Sequence, residues 1–184
     1  VNIGKRAGKK MLALITDMDI PLGRAIGNAL EVKEAIEVLN GKGPEDLTEV
    51  CVALATNMLY LAERGSPEQC EKDVRRVLKD KTALGVLKKM VIAQGGNSEL
   101  IDNPSLFKTA AYSHEVLADK DGYITKVDTE GYGIASLLLG AGRNKKEDKI
   151  DYSAGIVLNK KTGDAAPARS ASVPAARAEA RRAM

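Results

Sequence analysis

Aromatic residues, cysteine and histidine are all scarce in this chain of 184 residues. It has one Phe, five Tyr and no Trp, so its hydrophobic core has to be built mainly from aliphatic side chains. Two cysteines and one histidine exclude a standard zinc site built within the chain. Cys51 and Cys70 both fall on apolar helix faces, where buried free thiols are expected and a disulfide is not.

Long hydrophobic segments are absent as well. No apolar run approaches the roughly 20 residues needed to cross a bilayer, and the first ten residues lack the apolar core of a signal peptide. The apolar fraction of 44% and the charged fraction of 29% are typical of a globular protein. We therefore expect a cytoplasmic protein that has no membrane partner.

The basic charge is confined to the C-terminal tail. Residues 165 to 184 hold four Arg and one Glu, which accounts for the whole net charge of +3. The remaining body is neutral and offers no basic surface for a phosphate backbone, which argues against a nucleic-acid partner. Nine of the 20 tail residues are Ala, so we interpret the tail as disordered, and an end that is foreign to the fold is one interpretation of it.

The chain is organised around residues 17 to 41, where an acidic corner and a Pro-Gly loop lead into an amphipathic helix. Asn28 is predicted to be the N-cap of this helix, with Glu31 as its capping-box partner, and Gly41 to stop it. Before this stretch, Met11 to Thr16 is a continuous apolar run, typical of a strand buried in a parallel sheet. Asp17 and Asp19 follow that strand, either as ligand-binding residues or, as we favour, simply as residues that meet solvent.

The pattern predicts an α/β fold, part of a mixed α/β domain with a buried strand plus helices, followed by a small C-terminal α+β unit and the disordered tail. Helical spacing continues to about residue 94. Beyond a loop at 97 to 107, strands are predicted at 111 to 117, 123 to 127 and 153 to 158, with a helix at 129 to 139. The first two of these strands are predicted to form a hairpin across Asp121-Gly122. The predicted domains are residues 1 to 104, 105 to 164 and the tail, 165 to 184.

No motif in the chain declares an activity by itself. GxGxxG, GxxxxGK[ST] and G-x-S-x-G are all missing. Gly140-Ala141-Gly142-Arg143 is followed by charged residues and is interpreted as a turn in preference to a phosphate loop. His114 lies in an alternating strand, where a half-exposed histidine is favoured over a general base.

One motif at the start of the central helix nevertheless has a strong resemblance. PLGxxxGNALEVxEA, from Pro21 to Ala35, closely resembles the pyrimidine-nucleoside phosphorylase and thymidine phosphorylase family. Further similar segments follow in the family's order: IGKRAG at 3 to 8, LITDM at 14 to 18, GPEDLTE at 43 to 49, AQGG at 93 to 96, LGAGR at 139 to 143, KKED at 145 to 148 and IDYSAGIVLNKKTGD at 150 to 164. The resemblance covers residues 1 to 164 and stops at the tail.

The resemblance implies phosphorolysis, in which inorganic phosphate, the co-substrate, attacks the anomeric carbon of a pyrimidine nucleoside and releases the base. The family's Lys-His-Ser-Thr-Gly-Gly phosphate segment and its base-binding Arg, Ser and Lys have no counterpart here. The chain is therefore expected to be a C-terminal fragment without catalytic residues, inactive alone, from an enzyme that is a homodimer when intact. The start without Met, in what looks like the end of a helix, agrees with this expectation.

The resemblance also implies a site for a monovalent cation, usually potassium. Its downstream ligands map to Leu22, Ala25 and Glu34, and the others belong to the missing segment. Leu22 and Ala25 can contribute only backbone carbonyls, and Glu34 adds a carboxylate, so all three are hard oxygen donors. From the residues alone, the simpler interpretation is that Leu22 packs, Ala25 permits close approach and Glu34 is a solvated carboxylate.

Two other functions stay open. A non-catalytic helical scaffold or binding module with a basic arm would lose its partner when residues 165 to 184 are deleted. A transferase that uses phosphoribosyl substrates would share the architecture, although the match around Asn28 to Glu34 argues against it.

Overall fold

A computed structural model describes residues 1–167 and the backbone of residues 173–177. The helices are α1 (Asn2–Arg6), α2 (Asn28–Leu39), α3 (Glu45–Leu61), α4 (Pro67–Lys79), α5 (Thr82–Ala93), α6 (Glu99–Asp102) and α7 (Thr129–Ser136). The strands are β1 (Ala25–Ile26), β2 (Tyr112–Val116), β3 (Gly122–Tyr123), β4 (Gly155–Val157), β5 (Ala165–Ala166) and β6 (Val173–Arg177). These elements confirm a mixed α and β fold.

The chain divides into two compact units. The helical unit comprises Val1–Asp17 and Glu37–Gly96, and the sheet unit comprises Met18–Ile36 together with the chain from Asn97 onward. The division falls inside α2. The boundaries predicted at residues 104 and 164 stay a prediction.

The helical unit is a set of helices, and one of them, α4, begins with a side-chain cap. Ser66 caps α4, because its side chain accepts a hydrogen bond from the Gln69 amide. Arg75 joins α4 to α3 through a bidentate pair with Glu49, at 2.7 and 3.0 Å. The buried side chains of this unit are Val38, Val52, Cys70 and Val74. Within the described residues, none of the helices is long and apolar enough to span a membrane.

Short antiparallel strands form the sheet unit. One sheet has the strand order β1-β4-β6-β2, and β3 pairs with β5 in a second, two-stranded sheet. Asp128 is the N-cap of α7, because its side chain accepts a hydrogen bond from the Gly131 amide. The helix is followed by a wider turn over Leu137–Ala141. The core of this unit is aliphatic, as the lack of aromatics predicts, and contains Ala29, Ile36, Ile101, Val127, Ala154, Ile156, Leu158 and Ala166.

The predicted strand at Met11 to Thr16 is wrong for this structure. The segment carries no strand pairing, and Met11, Leu14 and Ile15 are exposed. A continuous apolar run becomes a buried strand only where neighbouring strands supply its backbone hydrogen bonds. Among the described residues, no strand pairs with this segment.

The predicted hairpin across Asp121-Gly122 is also wrong. β2 forms as expected, but it pairs with β6 and not with β3, and β3 shrinks to two residues that pair with β5. The predicted loop at 97 to 107 contains α6 and a 3-10 turn at Pro104–Leu106.

The tail prediction fails in part, because β5 and the backbone of β6 belong to sheets. For residues 168–172 and 178–184, the prediction of disorder and the basic arm lie outside the described residues.

The cysteines differ from each other. Cys70 is buried and free, as predicted, but Cys51 is exposed and free. A helix face that is apolar in sequence is buried only where another element packs against it, and α3 exposes Cys51.

Candidate functional site

The loop before α2 is held in place by polar contacts from distant parts of the sheet unit. The Lys161 ammonium donates to the carbonyl of Pro21 at 2.8 Å. The Thr129 hydroxyl donates to the carbonyl of Asp19 at 2.7 Å. Gly23 then takes a φ of 69°, a left-handed conformation that turns the chain toward β1. The loop is therefore a shaped segment, as its Pro and Gly residues predict.

Glu34 is the buried charged group of this loop. Its side chain lies in the core-facing part of α2, with 8% of its surface exposed. Oε1 accepts from the Arg24 amide at 2.8 Å and from the Ala25 amide at 3.2 Å, and Oε2 accepts weakly from the Ala25 amide at 3.3 Å. Two successive backbone amides thus converge on one carboxylate, as they do in an anion-binding nest. The solvated carboxylate favoured from the residues alone is wrong.

The two sides of the chain at Arg24 and Ala25 have different partners. The Leu158 amide donates to the carbonyl of Arg24 at 2.8 Å, so this carbonyl faces the end of β4. The Arg24 and Ala25 amides point to the other side, where both meet Glu34. The structure brings Ala25 and Glu34 together.

Leu22 lies in the same loop, three residues before Ala25. Its side chain is 47% exposed, so Leu22 is not a core residue and does not pack as the simpler interpretation required. Its neighbours are both constrained, since Pro21 is held by Lys161 and Gly23 makes the left-handed bend. The position of the Leu22 backbone is therefore set by the residues on either side of it.

The donor set around Glu34 suits a weakly hydrated monovalent cation. A carboxylate has about four acceptor directions, and the two loop amides leave some of them available on Glu34. Backbone carbonyls and a carboxylate are hard oxygen ligands, which bind alkali and alkaline-earth ions and not zinc or copper. Throughout the described part of the chain, no three His, Cys, Asp or Glu side chains gather to hold a metal. Oxygen ligands of these kinds are compatible with an alkali cation, and the ligand roles of Leu22, Ala25 and Glu34 stay a prediction.

The start of α2 is fixed by tertiary contacts. Glu31 accepts from the Gly27 amide at 2.9 Å, so Gly27 occupies the capping position that the sequence assigned to Asn28. The Asn28 side chain instead donates to the carbonyl of Ala141 at 2.7 Å. The prediction of Asn28 as N-cap is wrong, because Asn28 is itself the first residue of α2 and the residue before the helix is Gly27.

The main chain of α2 makes a second contact with the same part of the sheet unit. The Ala29 amide donates to the carbonyl of Tyr152 at 3.0 Å. Next to Tyr152, Asp151 accepts from the amide of Ser153 at 2.8 Å and from its hydroxyl at 2.6 Å. The Ser153 hydroxyl lowers the pKa of Asp151 from its ordinary value, so this turn is held by an ionised carboxylate.

The other candidates from the sequence are exposed side chains or belong to a local turn. His114 is exposed in β2, and Asp17 and Asp19 are exposed as well. The turn after Gly142 is closed by its own carboxylate, because Asp148 accepts from the amides of Asn144 and Lys145. The interpretation of this segment as a turn agrees with that arrangement.

Sequence reasoning missed Lys161 as a support of the loop and missed the close approach of Gly155 to Gly27. Lys161 carries no local signal, since its contact with Pro21 spans 140 positions. Gly155 did carry one, because a glycine inside a strand often marks a close backbone approach.

Comparison with known proteins gives consistent matches. The model of the family described as "Pyrimidine nucleoside phosphorylase C-terminal domain" matches residues 123–167. The pyrimidine-nucleoside phosphorylase of Geobacillus stearothermophilus is 48% identical over 166 residues, which are 90% of this chain and 38% of that protein. The enzyme of the same name from Staphylococcus haemolyticus is 47% identical over 165 residues, 89% of this chain and 38% of its own length. The chain thus spans a little over a third of the relatives it matches.

Proposed function

Because this chain belongs to the pyrimidine-nucleoside phosphorylase family, we propose that it is part of an enzyme that cleaves a pyrimidine nucleoside with inorganic phosphate. The products are the free base and a pentose 1-phosphate. The observation that carries this proposal is the 48% identity over 90% of the chain to a protein named for that activity. The intact enzyme is proposed to be a cytoplasmic homodimer.

The contribution of this chain is the support of a monovalent cation site. We assign Leu22 and Ala25 as carbonyl ligands and Glu34 as the carboxylate ligand of potassium. When bound, the ion supplies a fixed positive charge that favours an anionic co-substrate such as phosphate nearby. The chain's own residues orient this site: Glu34 holds the Arg24 and Ala25 amides, and α2 carries Glu34 out of solvent.

The chain is proposed to have no phosphorolytic activity by itself. Phosphate and a departing base both need anion stabilisation, and no Gly-rich Lys-His-Ser-Thr-Gly-Gly segment is present in the 184 residues. The test is direct. The purified chain is incubated with uridine or thymidine and phosphate, and base release is measured; release above a no-protein blank would contradict the proposal of inactivity.

A chimera tests the family function independently of that result. Residues of this chain replace the matched 166 residues of the Geobacillus stearothermophilus enzyme. We expect phosphate-dependent base release from the chimera, because the exchanged segment would supply the same supports. A chimera that folds and binds nucleoside but releases no base would contradict the proposed function.

The cation assignment is tested in the same chimera. Glu34→Gln keeps the size of the side chain and removes its charge, so we expect it to weaken the activation by potassium chloride relative to choline chloride. Glu37→Gln is the matched control, since Glu37 lies on the same helix with an exposed side chain. An equal potassium response in both variants would reject Glu34 as a ligand.

A further inference from the structure

Two glycines from distant parts of the chain, Gly27 and Gly155, lie against each other at the junction between β1 and α2. A Cβ added to Gly27 would lie 2.5 Å from the Ala154 carbonyl oxygen and 2.9 Å from the Gly155 Cα. A Cβ added to Gly155 would overlap the Ile26 carbonyl oxygen and lie 3.1 Å from the Gly27 Cα. Real Cβ atoms do not approach backbone this closely, so both positions need glycine for reasons of space.

Backbone conformation adds to the requirement for glycine. The φ angle is 140° at Gly27 and 159° at Gly155, and L side chains rarely adopt such values. An added methyl group at Gly155 would meet rigid main chain at Ile26 and Gly27 as well as the end of the Leu30 side chain, and the main-chain contacts cannot be relieved by a change of rotamer. Relief would require β1 and β4 to move apart.

Such a displacement would act on the Glu34 cluster through β1. Arg24 is bonded to Leu158 on one side of the strand, while its amide and that of Ala25 meet Glu34 on the other. β1 is only two residues long, so it has little length over which to absorb a shift. A change of a few tenths of an ångström at Gly155 reaches hydrogen bonds that are already 2.8 to 3.3 Å long.

We propose that Gly155 is a positioning residue: its close approach to Gly27 sets the distance between β1 and Glu34 and thereby the geometry of the oxygen cluster. The Asn28 side chain, bonded to the Ala141 carbonyl, supports the same junction from the helix side. This inference rests on the proposed function for the statement that the cluster binds a cation, but the positioning itself is a property of the chain.

The test uses amide hydrogen exchange in the complete 184-residue chain. Gly155→Ala should speed exchange at the Arg24 and Ala25 amides by about tenfold or more, because these bonds to an ionised acceptor are what the displacement weakens. Tyr132 in α7 of the same unit is the internal reference, and its exchange should stay unchanged. Gly163→Ala is the matched control, since Gly163 also has a positive φ, 93°, but has nothing within 4 Å of an added Cβ. Unchanged exchange at Arg24 and Ala25 in the folded Gly155→Ala variant would overturn the proposal.

If Gly155→Ala does not fold, Asn28→Ala is the variant to measure. This substitution introduces no overlap and places a good helix former at the first residue of α2. It should still speed exchange selectively at Arg24 and Ala25, because the Ala141 contact is lost. Exchange equal to that of the wild-type chain would contradict the positioning role of the junction.

A potassium measurement separates this proposal from the proposed function. In the chimera, the potassium concentration for half-maximal activation should rise with Asn28→Ala and not with Gly163→Ala. If potassium has no effect on the parent chimera but Arg24 and Ala25 still respond in the exchange experiment, the cation assignment fails and the positioning role stands. If potassium activates the parent and neither amide responds to either substitution, the positioning role fails alone.

Discussion

Neutralising Glu34 should destabilise the sheet unit even without potassium. The carboxylate is 8% exposed and accepts from two loop amides, the shorter bond being 2.8 Å. A hydrogen bond to an ionised group contributes on the order of 1.5–3 kcal/mol, against 0.5–1.5 kcal/mol for a neutral one. Glu34→Gln, which replaces the charged acceptor by an amide, should therefore lower the free energy of unfolding by about 1–2 kcal/mol. The loss is reduced because the neutral amide is less costly to bury than the carboxylate. Glu34→Ala, which leaves both amides without an acceptor, should cost about 2–4 kcal/mol.

The assay is urea unfolding followed through NMR signals of the sheet unit, in choline chloride with no added potassium. The expected order of stability is wild type, then Glu34→Gln, then Glu34→Ala. Glu37→Gln is the control, because an exposed substitution on the same helix should change the free energy of unfolding by less than about 0.5 kcal/mol. If Glu34→Gln were as stable as Glu37→Gln, the argument that this carboxylate organises the loop would be refuted.

Three further predictions concern the helical unit. Arg75→Gln should lower the melting temperature at pH 7. Arg75 lowers the pKa of Glu49 below its ordinary value of 4.5, so the ion pair stabilises the fold above that pH. The difference in melting temperature between the variant and the wild type should therefore shrink as the pH falls below 4.5. A difference that stays constant with pH would argue against the pair. Ser66→Ala removes the α4 cap and should lower the free energy of unfolding, measured in urea, by about 0.5–1 kcal/mol. An unchanged free energy of unfolding would mean that the cap is weak. Iodoacetamide should label the exposed Cys51 and spare the buried Cys70. Labelling of Cys51 should be slower than that of a free cysteine, because partial desolvation of its thiol raises the pKa. Cys51→Ser should abolish the labelling seen by mass spectrometry, and modification of Cys70 in the folded chain would contradict its burial.

Local chemistry made the helices predictable. Ser66 caps α4 through the Gln69 amide, three positions away, and this contact needs only the residues of one turn. Gly41 takes a φ of 74° just after α2, which is the left-handed stop expected of glycine there. Signals of this kind act within a few residues, so the order of residues is enough to place them.

Strand pairing and burial were not predictable in the same way. β2 was placed correctly, but its partner is β6, more than 50 positions further along the chain. The apolar run at Met11 to Thr16 has the composition of a buried strand and yet is exposed, because burial depends on neighbours that the segment cannot encode. Register and pairing are long-range properties, and a hairpin signal such as Asp121-Gly122 cannot exclude distant partners.

The candidate site also depends on long-range contacts that the sequence does not reveal. Leu22, Ala25 and Glu34 were assigned through a family resemblance, and from the residues alone Glu34 was expected in solvent. Nothing local indicates that its carboxylate turns inward to meet the Arg24 and Ala25 amides, because that outcome depends on where β1 is held.

The order of residues by itself determined the cap of α4 at Ser66, the stop of α2 at Gly41, the aliphatic core and the relationship to the pyrimidine-nucleoside phosphorylases. Each of these depends on nearby side chains or on identity along the chain. Only the tertiary structure decided that Asn28 bonds to Ala141 in place of capping its helix, and that Gly155 lies against Gly27. Both outcomes join segments more than 100 positions apart. A contact over that distance forms only when the whole unit folds, because its chain-closure entropy has to be offset by the packing of every element between them.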